Sequence, residues 1–402
     1  MKIVPVRTEK KKEFLELLLS LGVSKEGAKI LLPKGLNSAF KIEDIKSREA
    51  NIIKQHLLSL GSDAGIERKA LVKDVLTSMV IFGNLSQLNK LCEKLKGQPF
   101  GLREVAGKLK TCLQNKAREE FVLEARDKIL RIKKCVICGI INTTPDSFSG
   151  DGLLTDRERL EEKDLLNRAE SMIKAGAKII DIGGESTRPF SKKIDEKEEK
   201  RRVIPALRIL RKKFPRVVLS VDTYKYPVAR AAVNEGVDMI NDITALKGSS
   251  KMADLVERFG LGCVLMHMKG TPRNMQKNPS YRDVVSELVD FFESRLAYCQ
   301  SKRIDRKKIM VDPGIGFGKR FKDNTEIIKN LDALRIFGLP VFIGMSRKSF
   351  IGEILKNPAE DRLTGSLAAC AVALARGANV LRVHDVKESS EFIKVFLQIL
   401  NS

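Results

Sequence analysis

Apolar and polar positions alternate along this chain in two different rhythms, and the change between them falls near residues 120 to 134. Before it, "FKIED", "DAGIE" and "DVLTSMVIFG" carry the short apolar pattern of strands. "SREANIIKQHLLSLG", "LSQLNKLCEKLKG" and "LREVAGKLKTCLQ" space Ile, Leu and Val at helical intervals. The order strand, helix, two strands, helix, helix predicts a small α+β domain of ferredoxin-like type over residues 1–120, with further helices between residues 9 and 32. The stretch "NKAREEFVLEARDKILRIKK" predicts a charged helical linker, placed at residues 121–134. From Cys135 onward eight apolar runs recur: "CVICGIIN", "KIIDIGGE", "RVVLSVDT", "VDMINDI", "GCVLMHM", "KIMVDPGIGFG", "LPVFIGMSR" and "ANVLRVHD". Helical segments such as "LLNRAESMIKAGA" separate them. Eight strand–helix units over residues 135–402 predict a (β/α)8 TIM barrel, whose parallel strands are covered on both faces and so read as continuous apolar runs. A doubly wound open sheet is the alternative, but no Gly-x-Gly-x-x-Gly follows the first strand.

The candidate chemistry lies where these runs stop. In such a barrel it belongs at the C-terminal ends of the strands. There the chain places Asn142, Asp181 with Glu185, Asp222, Asn241 with Asp242, His267, Asp312, Ser346 with Arg347 and Lys348, and Arg382 with His384. Helix capping would account for Asp242 and Asp181, but not for polar residues at all eight ends. Asp222, Asn241, Asp312 and Lys348 suit a planar heterocycle whose paired N–H donors a carboxylate accepts. Arg382, His384 and Asn142 come from the last and first strands, adjacent once the barrel closes, and suit an anion. No His/Cys cluster has transition-metal spacing, so the expected metal is a hard cation such as Mg2+ bound by oxygen and phosphate.

Composition adjusts this picture only slightly. Of 402 residues, 43% are hydrophobic, as in globular proteins, and two domains are expected. The formal charge of +23 is shared by both halves, much of it Lys interleaved with Glu as in "EKEEKRR", and aromatics are scarce. A solvated surface explains that pattern better than a nucleic-acid site. No apolar run reaches 18 residues and no secretory h-region opens the chain, so no membrane span or signal peptide is expected. Seven scattered Cys fit reduced thiols in a cytoplasm. In "CVIC", Cys135 and Cys138 face opposite sides of a strand, against a metal or redox pair.

The stretches "GIINTTPDSFSGDG", "DIGGESTRP", "SVDTYK", "INDI", "LMHMKGTPRNMQ", "DPGIGFGK", "GMSRKSFIG" and "RVHDV" occur in the order seen in dihydropteroate synthases, and residues 135 to 400 resemble that family. The resemblance implies a TIM barrel that condenses 6-hydroxymethyl-7,8-dihydropterin diphosphate with 4-aminobenzoate, in a cytoplasmic homodimer using Mg2+. It implies catalytic roles for Lys348, Asp222, Asp312, Arg382 and His384. Asp222, Asn241, Met266, Asp312, Gly344 and Lys348 would hold the pterin, and Asn142, Arg382 and His384 the diphosphate, Asn142 through the metal. Thr187, Arg188, Pro189, Phe317, Lys348 and Ser349 would frame the aminobenzoate. Asp146 and Phe148 would lie on a mobile loop, which explains the polar break after Ile141.

Three positions depart from the family pattern: Gly150 after "DSFS" where Asp is usual, Phe190 after "STRP" and Ala245 in "NDITAL" where Gly is common. They touch loops more than the pocket. The alternative reading is a pterin-dependent methyltransferase acting on a corrinoid protein, which needs neither Arg382 and His384 nor "SRKSF". Residues 1–120 resemble extensions ahead of the synthase in some prokaryotic chains, with no role assigned.

Overall fold

The computed structural model describes residues 2–6, 8, 11–144, 161–185, 194–272 and 274–401. It parts into two compact units, 1–117 and 118–402.

The first unit begins with helices α1 (Lys11–Ser20) and α2 (Lys25–Gly35). Then follow β1 (Asn37–Lys46), α3 (Ser47–Ser59), β2 (Asp63–Ile66), β3 (Leu76–Asn84), α4 (Leu85–Lys96) and α5 (Leu102–Lys116). β3 lies between β1 and β2 and is antiparallel to both. This is the split β-α-β arrangement of ferredoxin-like folds, with α5 in the chain position of the fourth strand. Met79 and Ile81 alternate inward on β3 against Ile53, Leu57, Leu88, Leu91 and Leu95, the residues at helical spacing. α4 starts where it does because Asn84 caps the Gln87 amide and the Gln87 side chain bonds back to the Asn84 amide.

The second unit opens with strands rather than a helix. The expected helical linker is a β-hairpin, β4 (Phe121–Ala125) and β5 (Lys128–Ile132). Phe121, Leu123 and Ala125 are buried while Val122 is exposed and Glu124 half-buried, so the local period is two, and Arg126 turns the chain with φ at +58°. The charged residues that suggested a helix instead fasten the hairpin: Lys128 Nζ meets the fully buried Asp238 carboxylate at 2.5 Å, and Arg126 Nη1 donates to Val233 O at 3.2 Å.

The barrel strands are β6 (Val136–Asn142), β7 (Ala177–Gly183), β8 (Val218–Asp222), β9 (Met239–Asp242), β10 (Gly262–Met266), β11 (Ile309–Asp312), β12 (Phe342–Gly344) and β13 (Val380–Val383). All neighbours are parallel, in the order β11-β10-β9-β8-β7-β6-β13-β12. A parallel bridge from Val311 to Val341 brings the two ends together. The connecting helices are α6 (Glu162–Lys174), α7 (Glu196–Lys213), α8 (Tyr226–Asn234), α9 (Ser250–Phe259), α10 (Val284–Ser301), α11 (Phe321–Lys329), α12 (Ser349–Leu355) and α13 (Leu363–Ala375), and α14 (Val386–Asn401) follows β13. Among the described residues no helix is long and apolar enough to cross a membrane.

Each strand sends an apolar side chain into the lower lumen, namely Cys138, Ile179, Val218, Met239, Val264, Met310, Phe342 and Val380, and β6 adds Val136. The hairpin's Phe121, Leu123, Ala125 and Ile132 join this cluster and cover its underside. A packed layer of this kind makes the barrel a solid core. Cys138 belongs to it and Cys135 packs on the outer core, so the two thiols face apart. Burial pushes Cys135 up to about 12 and Cys138 well above the ordinary thiol range, which keeps both protonated.

Leu123 is fully buried in the plug, so Leu123→Ala should cost about 2–5 kcal/mol in chemical denaturation of the full chain. Exposed Val122→Ala should cost under about 0.5 kcal/mol.

Candidate functional site

Beyond the apolar layer, the same inward face turns polar on six of the eight strands, β10 and β12 continuing instead to Met266 and Gly344. Cys138 is followed by Ile140 and Asn142, Ile179 by Asp181, Val218 by Ser220 and Asp222, Met239 by Asn241, Met310 by Asp312, Phe342 by Gly344, and Val380 by Arg382. Period two thus turns a list of strand ends into one ring of side chains. Asp222 sits beside Asn241, Met266 beside Asp312, and Gly344 beside Arg382 in the strand register.

These residues border a cavity of about 780 Å³. Of the sequence-derived candidates, Asn142, Asp222, Asn241, Met266, Asp312 and Gly344 line its depth, with Arg382 and His384 on the same wall. Phe317, Lys348 and Ser349 line its mouth. Asp146, Phe148, Thr187, Arg188 and Pro189 lie outside the described residues, as do Gly150 and Phe190.

At the centre is a shared cation. Arg382 Nε donates to Asp181 Oδ2 at 2.7 Å and its Nη2 to Asp222 Oδ2 at 2.8 Å. Asp181 also accepts from Asn241 Nδ2 at 3.0 Å. Asp181 is therefore no helix cap. It is a lumen carboxylate with 0% exposure, and a capping preference read from sequence carries no information about which way the side chain turns. Asp242 points outward and does cap its loop, accepting from Thr244 N and Leu246 N. Those bonds hold buried Ala245 and Leu246 at positive φ, so Ala245 occupies a left-handed position where glycine costs less strain.

Burial raises the carboxyls that face the cavity. Asp222 is pushed up to about 7, an effect that Arg382 offsets and Asp181 increases. Burial likewise carries Asp312 up to about 6, against the Gly314 amide, which donates to its Oδ1 at 2.7 Å, and against Lys348. Lys348 Nζ donates to Ile315 O at 2.8 Å and stands 4.3 Å above the Phe317 ring, a cation–π contact that fixes both at the mouth. Ser346 Oγ accepts from His384 N at 3.4 Å and lies 3.0 Å from His384 Nδ1. This pair orients the His384 ring and leaves its Nε2 edge on the side away from Ser346.

His267, a rim candidate by sequence, faces away from the cavity. Burial drives its imidazole down to about 2, with Lys319 adding to the effect, and its Nδ1 lies 3.0 Å from Lys319 Nζ. Lys319 is itself buried. It donates to Gly314 O at 2.9 Å and Phe317 O at 3.0 Å, and burial lowers it to about 7. The sequence left this Lys unassigned, yet it ties down the loop that walls the site. Two glycines of "DPGIGFGK" serve packing: a Cβ on Gly314 or Gly318 would meet His267 O or Lys269 O at 2.0 or 2.2 Å. Gly316 faces Lys348 instead. Glu185 lines the cavity and is held by Lys225 Nζ at 3.0 Å, which also meets buried Glu199 at 2.5 Å.

For a hard cation the fit is partial. Asn142 presents a carboxamide to the cavity, and no hydrogen bond engages it among the described residues. Among the described residues no group of three His, Cys, Asp or Glu is placed to hold a metal there. One neutral oxygen suits a Mg2+ that arrives with phosphate and water rather than a resident ion.

Comparison with known proteins agrees with this geometry. Residues 138–384 match the model of the pterin binding enzyme family. The dihydropteroate synthase of Haemophilus influenzae is 40% identical over 280 residues, covering 70% of this chain and 99% of that one. A bifunctional dihydropteroate synthase/dihydropteroate reductase of Helicobacter pylori is 31% identical over 382 residues, 94% of each chain. The structure of Xanthomonas albilineans dihydropteroate synthase with 4-aminobenzoic acid superposes with a TM-score of 0.64 at 37% identity, covering 70% of this chain and 99% of that one. With a lumen of acceptors beside a paired guanidinium and these relatives in common, the chain belongs to the dihydropteroate synthase family of pterin-binding enzymes.

Proposed function

We infer that the barrel condenses 6-hydroxymethyl-7,8-dihydropterin diphosphate with 4-aminobenzoate, yielding 7,8-dihydropteroate and diphosphate. The observation that carries this reading is the split of one cavity into two chemistries. Asp222, Asn241 and Asp312 offer acceptors to a ring edge rich in N–H donors, with Lys348 as a donor at the mouth. Arg382 and His384, on neighbouring positions of one strand end, offer N–H groups to an anion. A cavity of this size takes a bicyclic ring with a short charged tail.

The chemistry is displacement at the pterin methylene. The C–O bond breaks with its electron pair leaving on the diphosphate, the arylamine nitrogen forms the new C–N bond, and that nitrogen then sheds one proton. Such a step needs stabilisation of the departing charge more than a nucleophilic side chain. Arg382 is suited to this because two carboxylates already fix its plane, while its Nη1 has no partner among the described residues. Ser346 orients His384 through its Nδ1. Phe317 and Lys348 offer an aromatic face and a charge for the aminobenzoate, with Ser349 beside them. Thr187, Arg188 and Pro189, with Asp146 and Phe148, are proposed to complete that end. Asn142 is the protein ligand proposed for Mg2+, which when bound neutralises charge on the diphosphate.

A second reading is supported by the match to the Helicobacter pylori relative, which extends along both units. It adds reduction of the dihydropteroate product by a hydride donor of the nicotinamide or flavin class. Seven free cysteines support a reducing, cytoplasmic setting. A homodimer is supported by α13. Its outward positions Thr364, Ala368, Val372 and Ala375 carry no charge, and Val372 is 46% exposed, an apolar face unusual for a helix bathed in water.

Product analysis tests these assignments. The purified chain with both substrates and Mg2+ should form dihydropteroate, chelation should stop it, and tetrahydropteroate on adding reduced nicotinamide or flavin would establish the second activity. Lys348→Ala and Asp312→Ala should each lower kcat/KM at least about 100-fold; near-normal turnover in both would contradict the pocket.

A pH dependence follows from Asp312. Both of its oxygens accept ring N–H groups only when it is ionised, and burial pushes its carboxyl up to about 6. Affinity for the free pterin ring should therefore hold above that pH and fall by up to about tenfold per unit below it. Asp312→Asn should bind weakly with a flatter profile, measured by calorimetric titration.

Val372→Asp should convert the dimer to monomer in sedimentation velocity without loss of helical signal.

A further inference from the structure

Asp181 does not border the cavity, yet it touches two residues that do. Its Oδ2 accepts from Arg382 Nε and from Asn241 Nδ2, while Oδ1 has no partner among the described residues. A carboxylate paired with a guanidinium offers acceptors only. The Asn241 carboxamide must therefore turn its NH2 towards Asp181, which leaves Oδ1 without a protein donor among the described residues. An amide without such a partner presents either end at little cost, since its two ends are nearly the same shape. Here the choice is made by a residue one shell deeper in the lumen.

We propose that Asp181 is a positioning residue: it fixes the hydrogen-bond polarity of Asn241 and so makes the ring pocket select a 2-amino-4-oxo heterocycle over its 2-oxo counterpart. This rests on the pterin reading above. With Asn241 turned this way, Asp222, Asn241 and Asp312 all present oxygen to the ring. A ring amine is matched by this wall, whereas a ring carbonyl in its place sets oxygen against oxygen. Sites built around such a hydrogen-bond pattern reject the mismatched analogue strongly. Releasing Asn241 lets one of the three positions turn to donate, which eases the penalty on the carbonyl and weakens the match to the amine.

The test is calorimetric titration of the full chain with 6-hydroxymethylpterin and with 6-hydroxymethyllumazine. The wild-type chain should prefer the pterin. Asp181→Ala should reduce that preference by about tenfold, whereas Asp181→Asn, whose amide oxygen can accept from both donors, should keep most of it. A purely structural role for Asp181 would weaken both rings alike, and an unchanged ratio in a folded Asp181→Ala chain would overturn the proposal while leaving the pterin reading intact. Should the alanine variant fail to fold, Asn241→Leu decides the matter. It must also lose the preference, and retention of the wild-type ratio overturns the proposal. A wild-type chain binding neither ring would overturn the pterin reading and this inference with it.

Discussion

The barrel is organised around one buried cation. Arg382 reaches from β13 across the lumen to Asp181 on β7 and Asp222 on β8, so a single guanidinium joins elements far apart in the chain. Removing one member of a buried charge set typically costs 3–5 kcal/mol, because the remaining charges are left without compensation. Burial, with the second carboxylate adding to it and Arg382 offsetting part of it, is why Asp222 sits well above the usual carboxylate range. The excess acceptor capacity is what a donor-rich ring edge can satisfy. Stability and recognition draw here on the same atoms.

Beneath this polar ring lies the apolar layer, sealed from below by the hairpin through Phe121, Leu123 and Ile132. The two layers are a single design, since the side chains one strand repeat above the apolar layer are the ones that meet the ligand. A dry floor also lowers the local dielectric, which strengthens every charge interaction above it. The loop after β11 adds the side wall. Its glycines allow backbone to lie against His267 and Lys269, and Lys319 binds the loop's own carbonyls from behind. Asp312 and Lys348 then point into the cavity from a fixed frame.

Much of the architecture was legible because its signals are local. Eight apolar runs with helical spacing between them are enough for a barrel. The strand ends are enough to gather Asn142, Asp222, Asn241, Asp312 and Arg382 at one rim, but not to separate them from His267, which faces away. The hairpin was not legible, since Phe121, Leu123 and Ala125 alternate over too few residues to outweigh the charges around them. Those charges read as a solvated helix until Asp238 and the Val233 carbonyl are brought beside them.

By itself, then, the chain's letters determined the repeat, the order of the elements and the chemical types gathered at the rim, because period and composition act within a few residues. Partnership was decided only in three dimensions. Asp181 and Asp242 look alike as strand-end carboxylates, yet one faces the lumen and grips Arg382, 201 positions away, while the other faces outward and caps its own loop. His267 and His384 look alike too, and packing buries the first against Lys319 while leaving the second on the cavity wall. The physical reason is that a side chain's role follows from its direction and its desolvation, and both depend on neighbours that the sequence keeps far apart.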